Sequence, residues 1–135
     1  MSTPKSNVVK IHPAVNKGKK IYIAGPMSGY PNFNFDAFYM AAHNFSFLGY
    51  EVFNPADKEG ETLSEASKES GCHIKAREDG FDFRKVYAWD VNKVVEADAI
   101  YMLKGWEASA GARGEHAVAV AMQKHYPEYE IIYES

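Results

Sequence analysis

Short apolar runs that alternate with helical segments are the feature that most constrains the fold of this chain. Four runs have strand character and end at turn-forming residues: 21–24, 50–53, 99–103 and 131–133. Apolar residues at helical spacing predict three helices between them: 35–48, 84–97 and 111–125. Strands joined through helices pair in parallel, with right-handed crossovers. The pattern therefore predicts an α/β fold, a small doubly wound parallel sheet of the Rossmann or flavodoxin type, with four to five strands and flanking helices.

Two of the predicted helices carry signals for where they begin and which side they bury. Asn34 is the predicted N-cap of the first helix, and Gly49 is its predicted stop. The second helix has an apolar stripe that we expect to face the sheet: Val86, Val91, Val94 and Val95.

The composition excludes several broad classes of protein. A chain of 135 residues with two Trp, nine Tyr and eight Phe has ample core material, which excludes intrinsic disorder. A single cysteine, Cys72, excludes a disulfide scaffold and favours a reducing compartment, so we expect a cytoplasmic protein. We expect neither a membrane span nor a signal peptide, because no apolar run is long enough. The formal charge of −3 gives no strong sign of nucleic-acid binding.

The charges are unevenly distributed, which predicts a basic N-terminal tail over 1–19 and a domain over 20–135. Residues 1–20 hold five lysines and no acid, whereas the rest has 10 basic and 18 acidic residues, a net charge of −8. Val8 to Ile11 would form an extra strand or a tether. A solvated tail is the main interpretation, and an arm that binds a polyanion is the alternative.

The segment 56–83 interrupts the regular pattern of the domain. It holds eight acids, four bases and three glycines without a clear period, and only 63–69 has the character of a short helix. An irregular segment of this length is unusual in a compact domain unless it is a lid, a binding loop or disordered. We therefore interpret it as an insert or lid.

Ligands of doubly wound sheets bind beyond the carboxyl ends of the strands, which here indicates the loops 25–31 and 104–110. Gly25 and Gly29 would let backbone N–H groups of the first loop approach an anion, and Ser28 adds a hydroxyl group. The same glycines would equally serve tight turns. The loops match neither the dinucleotide fingerprint nor the P-loop, which excludes a nicotinamide cofactor and hydrolysis of nucleoside triphosphates.

The start of the last helix offers a second anion site and a carboxylate. Ser109 and Gly111 would bind an anion at the helix N-terminus. Glu115 follows in the first turn or so, where the positive end of the helix dipole favours its ionised form. An ionised carboxylate at the ligand-binding end of the sheet suits a nucleophile at a sugar carbon, although acids are common in first turns for structural reasons alone.

Two aspartates lie close to predicted core elements. Asp90 lies on or beside the apolar stripe of its helix, where a charge is costly unless it is paired or functional; pointing to water at the edge of the stripe is the alternative. Asp98 begins the third strand, where a turn or capping role is expected.

Metal and thiol chemistry have little support in the sequence. Cys72 and His73 form a pair without a second pair, so we expect no zinc or other metal site. A Ser-His-Asp hydrolase would need a Gly-x-Ser-x-Gly elbow, which the chain lacks.

Two sequence blocks, in this order on this fold, carry a resemblance to a known family. The first is 22–29, Tyr-Ile-Ala-Gly-Pro-Met-Ser-Gly, followed by an Asn- and Phe-rich helix start. The second reads Asp-(seven residues)-Asp-Ala-Ile from Asp90 and Ser-Ala-Gly-(three residues)-Glu from Ser109. Outside 56–83, the domain resembles the nucleoside 2-deoxyribosyltransferase-like superfamily. It is most similar to a branch common in bacteria and their phages, and its second block resembles the 5′-monophosphate N-glycosidases.

The resemblance implies a role for each matching residue. Glu115 matches the nucleophile that attacks the anomeric carbon and forms a covalent deoxyribosyl-enzyme. Asp90 matches the acid that assists the departing base, and Tyr22 matches a tyrosine beside the nucleophile. Ser109 and Gly111 match the loop that holds the 5′ end of the sugar.

The match also bears on the substrate. The transferases usually have an Asp in place of Ser109, and a neutral Ser better suits a phosphate, because an Asp would repel it. The N-glycosidases have an Arg in the first loop where this chain has Ser28, so Arg113 or Arg84 would have to supply the charge. Four residues of the first loop complete the predicted substrate-binding set: Gly25, Met27, Ser28 and Gly29.

The resemblance therefore implies an enzyme that cleaves or transfers at the N-glycosidic bond of a (deoxy)nucleoside 5′-monophosphate. It implies no metal or organic cofactor, a small-molecule nucleotide or nucleoside as partner, and a homodimer or larger homo-oligomer in which a neighbouring subunit completes the site. A non-catalytic module that binds or sequesters a nucleotide is the alternative, and an interaction domain built around the insert and tail is a third interpretation.

Overall fold

The computed structural model, which describes residues 13–135, contains a parallel sheet of four strands. They are β1 (Lys20–Ala24), β2 (Glu51–Phe53), β3 (Ala99–Met102) and β4 (Glu130–Tyr133). Their order across the sheet is β2-β1-β3-β4, and Tyr22 of β1 pairs with Phe53 on one side and Ile100 on the other. The predicted doubly wound parallel fold is confirmed, with four strands.

Helices cover both faces of the sheet. The long ones are α2 (Phe35–Phe47), α6 (Phe83–Glu96) and α7 (Ala110–His125), and α1 (Pro13–Asn16) is a single short turn. Ile21 and Ile23 of β1 belong to the core under α2, whereas Tyr22 and Ala24 belong to the core under α6 and α7. This alternation follows from the two-residue period of a strand, which sends successive side chains to opposite faces. Tyr22 therefore points towards α6 and α7.

The chain reverses its direction of winding beside β1. The connection through α2 leads from β1 to β2 at one edge, while α6 and α7 lead to β3 and β4 on the other side. At such a reversal a crevice opens beyond the carboxyl ends of the two central strands. The crevice of this sheet accordingly lies between the loops that follow β1 and β3.

Two predictions about helix surfaces are wrong. Val94 of the predicted stripe is buried, but Val91 and Val95 are 39% and 46% exposed, and Asp90 shares the inward side of α6 with Val94 instead. Asn34 precedes α2 as predicted, but its backbone is left-handed and its side chain makes no cap. Its amide donates instead to the carbonyl of Pro26, at 3.0 Å, and so holds the loop after β1.

The insert 56–83 contains three short helices, of which the sequence indicated the one at 63–69. It forms α3 (Pro55–Gly60), α4 (Glu65–Ser70) and α5 (His73–Glu78). Side-chain caps start the first two: Asn54 accepts from the Ala56 N–H, and Ser64 accepts from the Ser67 N–H. Helices this short lack a clear period in the sequence, because one or two turns place only one or two residues inward.

A backbone hydrogen bond joins the insert to the loop after β1. The Gly29 N–H donates to the Gly71 carbonyl at 2.7 Å. Gly71 has a positive φ of 63°, and a Cβ atom there would overlap the backbone of Tyr30. Only glycine therefore allows this close approach, and the insert becomes one wall of the crevice.

The predicted tail lies largely outside the described residues. Residues 1–12, which include the expected strand or tether at 8–11, lie outside the described range, whereas Pro13–Asn16 form α1. The Asn16 amide donates to the Leu48 carbonyl at 2.9 Å, which anchors this turn beside α2. No helix within residues 13–135 is both long enough and apolar enough to cross a membrane.

Candidate active site

A cavity of about 610 Å³ lies at the crevice beyond the carboxyl ends of β1 and β3. Its walls come from the loop after β1, the insert, the inner face of α6 and the first turns of α7. Most of the lining is apolar or aromatic, and a few polar groups converge on one end. This composition is typical of small-molecule sites.

A tyrosine and two carboxyl groups meet at the polar end of the cavity. The Tyr22 hydroxyl donates to Oε2 of Glu115 at 3.1 Å. Glu115 is 7% exposed, Asp90 is 4% exposed, and both line the cavity with Tyr22. Glu115, Asp90 and Tyr22 come from α7, α6 and β1, so the fold brings together the three residues to which the resemblance assigns chemical roles.

The Asp90 carboxyl has spare hydrogen-bonding capacity. Its interactions with Glu115 and Tyr22 affect its pKa, but its Oδ1 atom is buried and has no hydrogen-bond partner among residues 13–135. A buried carboxyl oxygen without a partner is costly, and such atoms are uncommon outside functional sites. Oδ1 is therefore available to a bound ligand.

Burial favours the protonated forms of the Asp90 and Glu115 carboxyl pair. Loss of solvation raises the pKa of Asp90 to about 7, and loss of solvation together with the Asp90 charge raises the pKa of Glu115 well above its usual value. The expectation that the helix dipole keeps Glu115 ionised is wrong, because Glu115 is the sixth residue of α7 and lies beyond the free N–H groups of the first turn. Two buried carboxyls so close share a proton near neutral pH.

A third buried carboxyl, Glu59, belongs to the cavity and was not predicted. It lies in α3 of the insert, is 8% exposed, and makes no side-chain hydrogen bond or ion pair among residues 13–135. Desolvation and the Asp90 charge raise its pKa to about 8. The helix-start signal Asn54-Pro55 was visible in the sequence, but nothing there showed which of the many acids of the insert turns inward.

The loop after β1 lines the cavity in part. Met27 and Ser28 lie in its wall together with Gly25, whereas Gly29 does not. A Cβ atom on Gly25 would lie 2.7 Å from Cβ of Leu103, so this glycine allows β1 and β3 to approach at their ends. The Gly29 N–H already donates to Gly71. These two glycines therefore serve packing and a turn, which was the alternative to anion binding.

The first turn of α7 faces the cavity with free donors. Ser109 caps the helix by accepting from the Ala112 N–H at 3.2 Å, and Ser109, Ala110 and Gly111 all line the cavity. The N–H groups of the first helical turn have no acceptor within the helix. Tyr87 packs against Gly111 and closes this corner.

The predicted cation does not reach the cavity. Arg113 is exposed and outside the lining, and Arg84 lines a neighbouring depression. Arg77 of α5 lines both the cavity and this depression, so the insert carries the arginine that borders the site. Its helix is too short to have been located from the sequence, so the residue was not predicted.

Asp98 and His116 have structural partners outside the cavity. Asp98 is exposed and accepts from the Lys20 N–H at 2.8 Å, which agrees with the expected turn role. His116 contacts the Tyr133 hydroxyl at 2.8 Å and stacks against Trp106, outside the cavity. Within the described part of the chain, no three His, Cys, Asp or Glu side chains are arranged as metal ligands.

Comparison with known families assigns the chain to one of them. Residues 19–126 match the model of a family described as a domain of unknown function, DUF4406. The chain belongs to the DUF4406 family. No curated protein matches it, and no solved structure does so either. The matched range of this DUF4406 domain includes every residue that lines the cavity.

The raised pKa of Glu59 predicts a pH-dependent stability. Because the folded state holds this proton more tightly than the unfolded state, its contribution is complete below about pH 4.5 and is lost as pH rises towards 8. Glu59→Gln should therefore match the wild type at pH 4.5 and exceed its free energy of unfolding by roughly 1–3 kcal/mol at pH 8.5. Urea unfolding at a series of pH values measures the difference.

The matched control is Glu61→Gln, which removes an exposed acid two residues away. Its stability should follow the wild type at every pH. Parallel curves for the wild type and Glu59→Gln would show that Glu59 has an ordinary pKa in the folded protein.

Proposed function

We propose that this protein cleaves the N-glycosidic bond of a (deoxy)nucleoside 5′-monophosphate, with water as the usual acceptor and a second base as the transferase variant. The observation that carries the proposal is the meeting of Tyr22, Asp90 and Glu115 at the buried end of one cavity. Two carboxyls, one able to attack and one able to hold a proton, are what cleavage at an anomeric carbon requires.

The first step starts from the state of the pair in which the shared proton lies on Asp90, and a carboxylate oxygen of Glu115 attacks C1′ of the sugar. The C1′–N bond breaks, its electron pair goes to the base nitrogen, and the base receives the proton that Asp90 holds. The Tyr22 hydroxyl, which donates to Oε2 of Glu115, favours the ionised form of that carboxylate and orients it. The products of this step are the free base and a glycosyl ester on Glu115.

In the second step, water attacks C1′ of the ester. The Asp90 carboxylate accepts a proton from the water, the C1′–O bond to Glu115 breaks, and Glu115 leaves as a carboxylate. Overall, the two steps convert a nucleotide and water into a sugar phosphate and a free base. The enzyme returns to its starting protonation state. In the transferase variant, a second base replaces the water.

The first turn of α7 is the proposed site of the 5′-phosphate. Ala110 and Gly111 supply N–H groups and Ser109 supplies a hydroxyl, all in the cavity wall and about one helical turn from Glu115. Anions bind readily at helix N-termini for this reason. The residues of the cavity wall just before this turn include no acidic side chain. A wall without an acid there suits a phosphate better than a neutral 5′-hydroxyl.

Release of free base from a panel of nucleotides and nucleosides tests the proposal. Glu115→Gln should reduce release by roughly 10³-fold or more, because the nucleophile is gone. Asp90→Asn should reduce it by roughly 10²–10⁴-fold and remove the decline in rate that the wild type should show at alkaline pH, where the pair loses its shared proton. Glu128→Gln, on the exposed turn after α7, is the matched control and should leave the rate unchanged.

Mass spectrometry distinguishes the two steps. With a substrate whose base leaves without a proton, Asp90→Asn should accumulate a sugar phosphate on Glu115, because only the second step then lacks the help of Asp90. If no substrate releases base at any pH, and nucleotides bind equally well to the wild type and Glu115→Gln, the protein is a nucleotide-binding module and the proposed cleavage is wrong.

We further propose that the protein is a homo-oligomer through the outer face of α6. Tyr87, Val91 and Val95 recur every four residues and are 39–47% exposed, so they form an apolar stripe on the surface. Tyr87 also lines the cavity, so a second copy seated on this stripe would border the site. Interfaces between copies commonly bury such stripes.

Light scattering measures the assembly. The wild type should have at least twice the mass of one chain, and the double variant Val91→Glu/Val95→Glu should have the mass of a single chain. Phe47→Glu places the same charge on an exposed apolar position of α2, on the opposite face of the sheet, and should keep the wild-type mass. A wild type with the mass of one chain at all concentrations would contradict the proposed assembly.

A further inference from the structure

Three consecutive residues just before α2 have a left-handed backbone and form what we call the left-handed turn. The φ angles of Asn32, Phe33 and Asn34 are 54°, 53° and 62°, and no other residue except glycine has a positive φ within 13–135. Left-handed backbone is unfavourable for residues with a side chain; Asn adopts it singly, whereas a bulky residue such as Phe33 rarely does. The left-handed turn is therefore a strained segment of the fold.

Contacts around the left-handed turn hold it in this conformation. The Phe33 side chain is 4% exposed, belongs to the core under α2 and also lines the cavity. The Phe33 N–H donates to the Tyr30 carbonyl at 3.0 Å, and the Phe35 N–H donates to the Asn32 carbonyl. Strained backbone persists only where its surroundings fix it, and such segments concentrate at functional sites. The strain therefore directs attention to what this turn holds.

The left-handed turn holds the wall of the cavity through the Asn34 side chain. Nδ2 of Asn34 donates to the carbonyl oxygen of Pro26 at 3.0 Å. Pro26 is buried and lines the cavity between Gly25 and Met27. Because α2 begins at Phe35 and runs for 13 residues, this bond ties the cavity wall to a long helix.

The other hydrogen bonds of the loop after β1 leave Pro26 to Asn34. The Gly29 N–H donates to the Gly71 carbonyl at 2.7 Å, and the Tyr30 N–H donates to the Met27 carbonyl at 3.1 Å. Both fix the second half of the loop. Within residues 13–135, the Asn34 amide makes the one side-chain hydrogen bond to loop 25–31. The position of the Pro26 segment of the wall therefore depends on this amide.

We propose that Asn34 is a positioning residue for substrate binding, which holds the loop after β1 in the conformation that the nucleotide contacts. The left-handed turn is the backbone that brings its amide to Pro26. This inference rests on the proposed cleavage of a nucleotide, since that function names the ligand. A wall that is already in its bound conformation needs less ordering when the ligand binds. Asn34 acts through Pro26, so its loss should weaken binding and leave the chemical steps at Glu115 and Asp90 intact.

Two substitutions that the left-handed backbone accepts test the inference. Asn34→Asp keeps a residue that tolerates this conformation, but a carboxylate cannot donate to the Pro26 carbonyl. Asn34→Gly suits the φ of 62° and has no side chain. For the nucleotides that the wild type cleaves, both variants should raise KM roughly tenfold, while kcat stays within about twofold of the wild-type value.

The matched control is Asn32→Gly in the same turn. Asn32 is exposed, lies outside the cavity lining and makes no side-chain hydrogen bond within residues 13–135. Its replacement relieves strain and retains the Asn34 amide, so the melting temperature should rise while KM and kcat keep their wild-type values. In Asn34→Gly, relief of strain should offset the lost hydrogen bond and keep the melting temperature near that of the wild type. A merely structural role would lower the melting temperature of both Asn34 variants without changing KM.

Hydrogen exchange reports on the loop without any substrate. The amides of Gly29 and Tyr30 are hydrogen-bonded in the folded loop and should exchange slowly in the wild type and in Asn32→Gly. In Asn34→Asp and Asn34→Gly they should exchange roughly tenfold faster, because the first half of the loop is no longer held. The amides of β3 should exchange at the same rate in all four proteins.

The two proposals fail in different ways. Equal exchange of the loop amides in the wild type and both Asn34 variants would show that Asn34 does not hold the loop, which overturns the inference. A faster exchange with an unchanged KM would overturn it too, because the loop position would then not matter to the substrate. In both cases release of base by the wild type leaves the proposed cleavage standing. If the wild type neither binds nor cleaves any nucleotide, the proposed function is wrong and the inference fails with it.

Discussion

The contact between Tyr22 and Glu115 joins the centre of the sheet to the helix that covers it. Tyr22 is fully buried in the middle strand, and its hydroxyl reaches the buried carboxyl of α7. A buried acid is costly unless it is hydrogen-bonded or neutral, so this contact and the shared proton with Asp90 make the arrangement tolerable. The same features give the carboxyl pair one group that can attack and one that can hold a proton, which is the chemistry we propose.

The topology explains why these groups meet. The winding reverses beside β1, so the loops after β1 and β3 diverge and leave a crevice that α6 and α7 border on one face. Asp90 and Glu115 lie on the inward sides of those two helices. The insert adds the remaining wall, fixed by the hydrogen bond between Gly29 and Gly71. It thereby contributes Glu59 and Arg77 to the cavity wall, so the part of the chain with the least regular sequence supplies two of the charged residues that line the cavity.

Local sequence patterns predicted the sheet, the three long helices and the positions of Asp90 and Glu115, because strand and helix periods and strand-end loops are encoded over short stretches. Tertiary contacts decided the rest. Val91 and Val95 looked like core residues, but Asp90 and Val94 occupy the inward side of α6. Whether Glu59 or one of its acidic neighbours turns inward depends on how α3 docks, and this docking follows no local rule.

The central claim is that buried carboxyls in one cavity retain protons near neutral pH. Carbon-detected NMR of protein labelled at its carboxyl carbons, with resonances assigned by substitution, measures their titration directly. Glu59 and the Asp90–Glu115 pair should change their chemical shifts at pH 7 or above. Titration of every carboxyl near pH 4 would contradict the account, because the cavity would then hold three ionised groups and no proton to give to a leaving base.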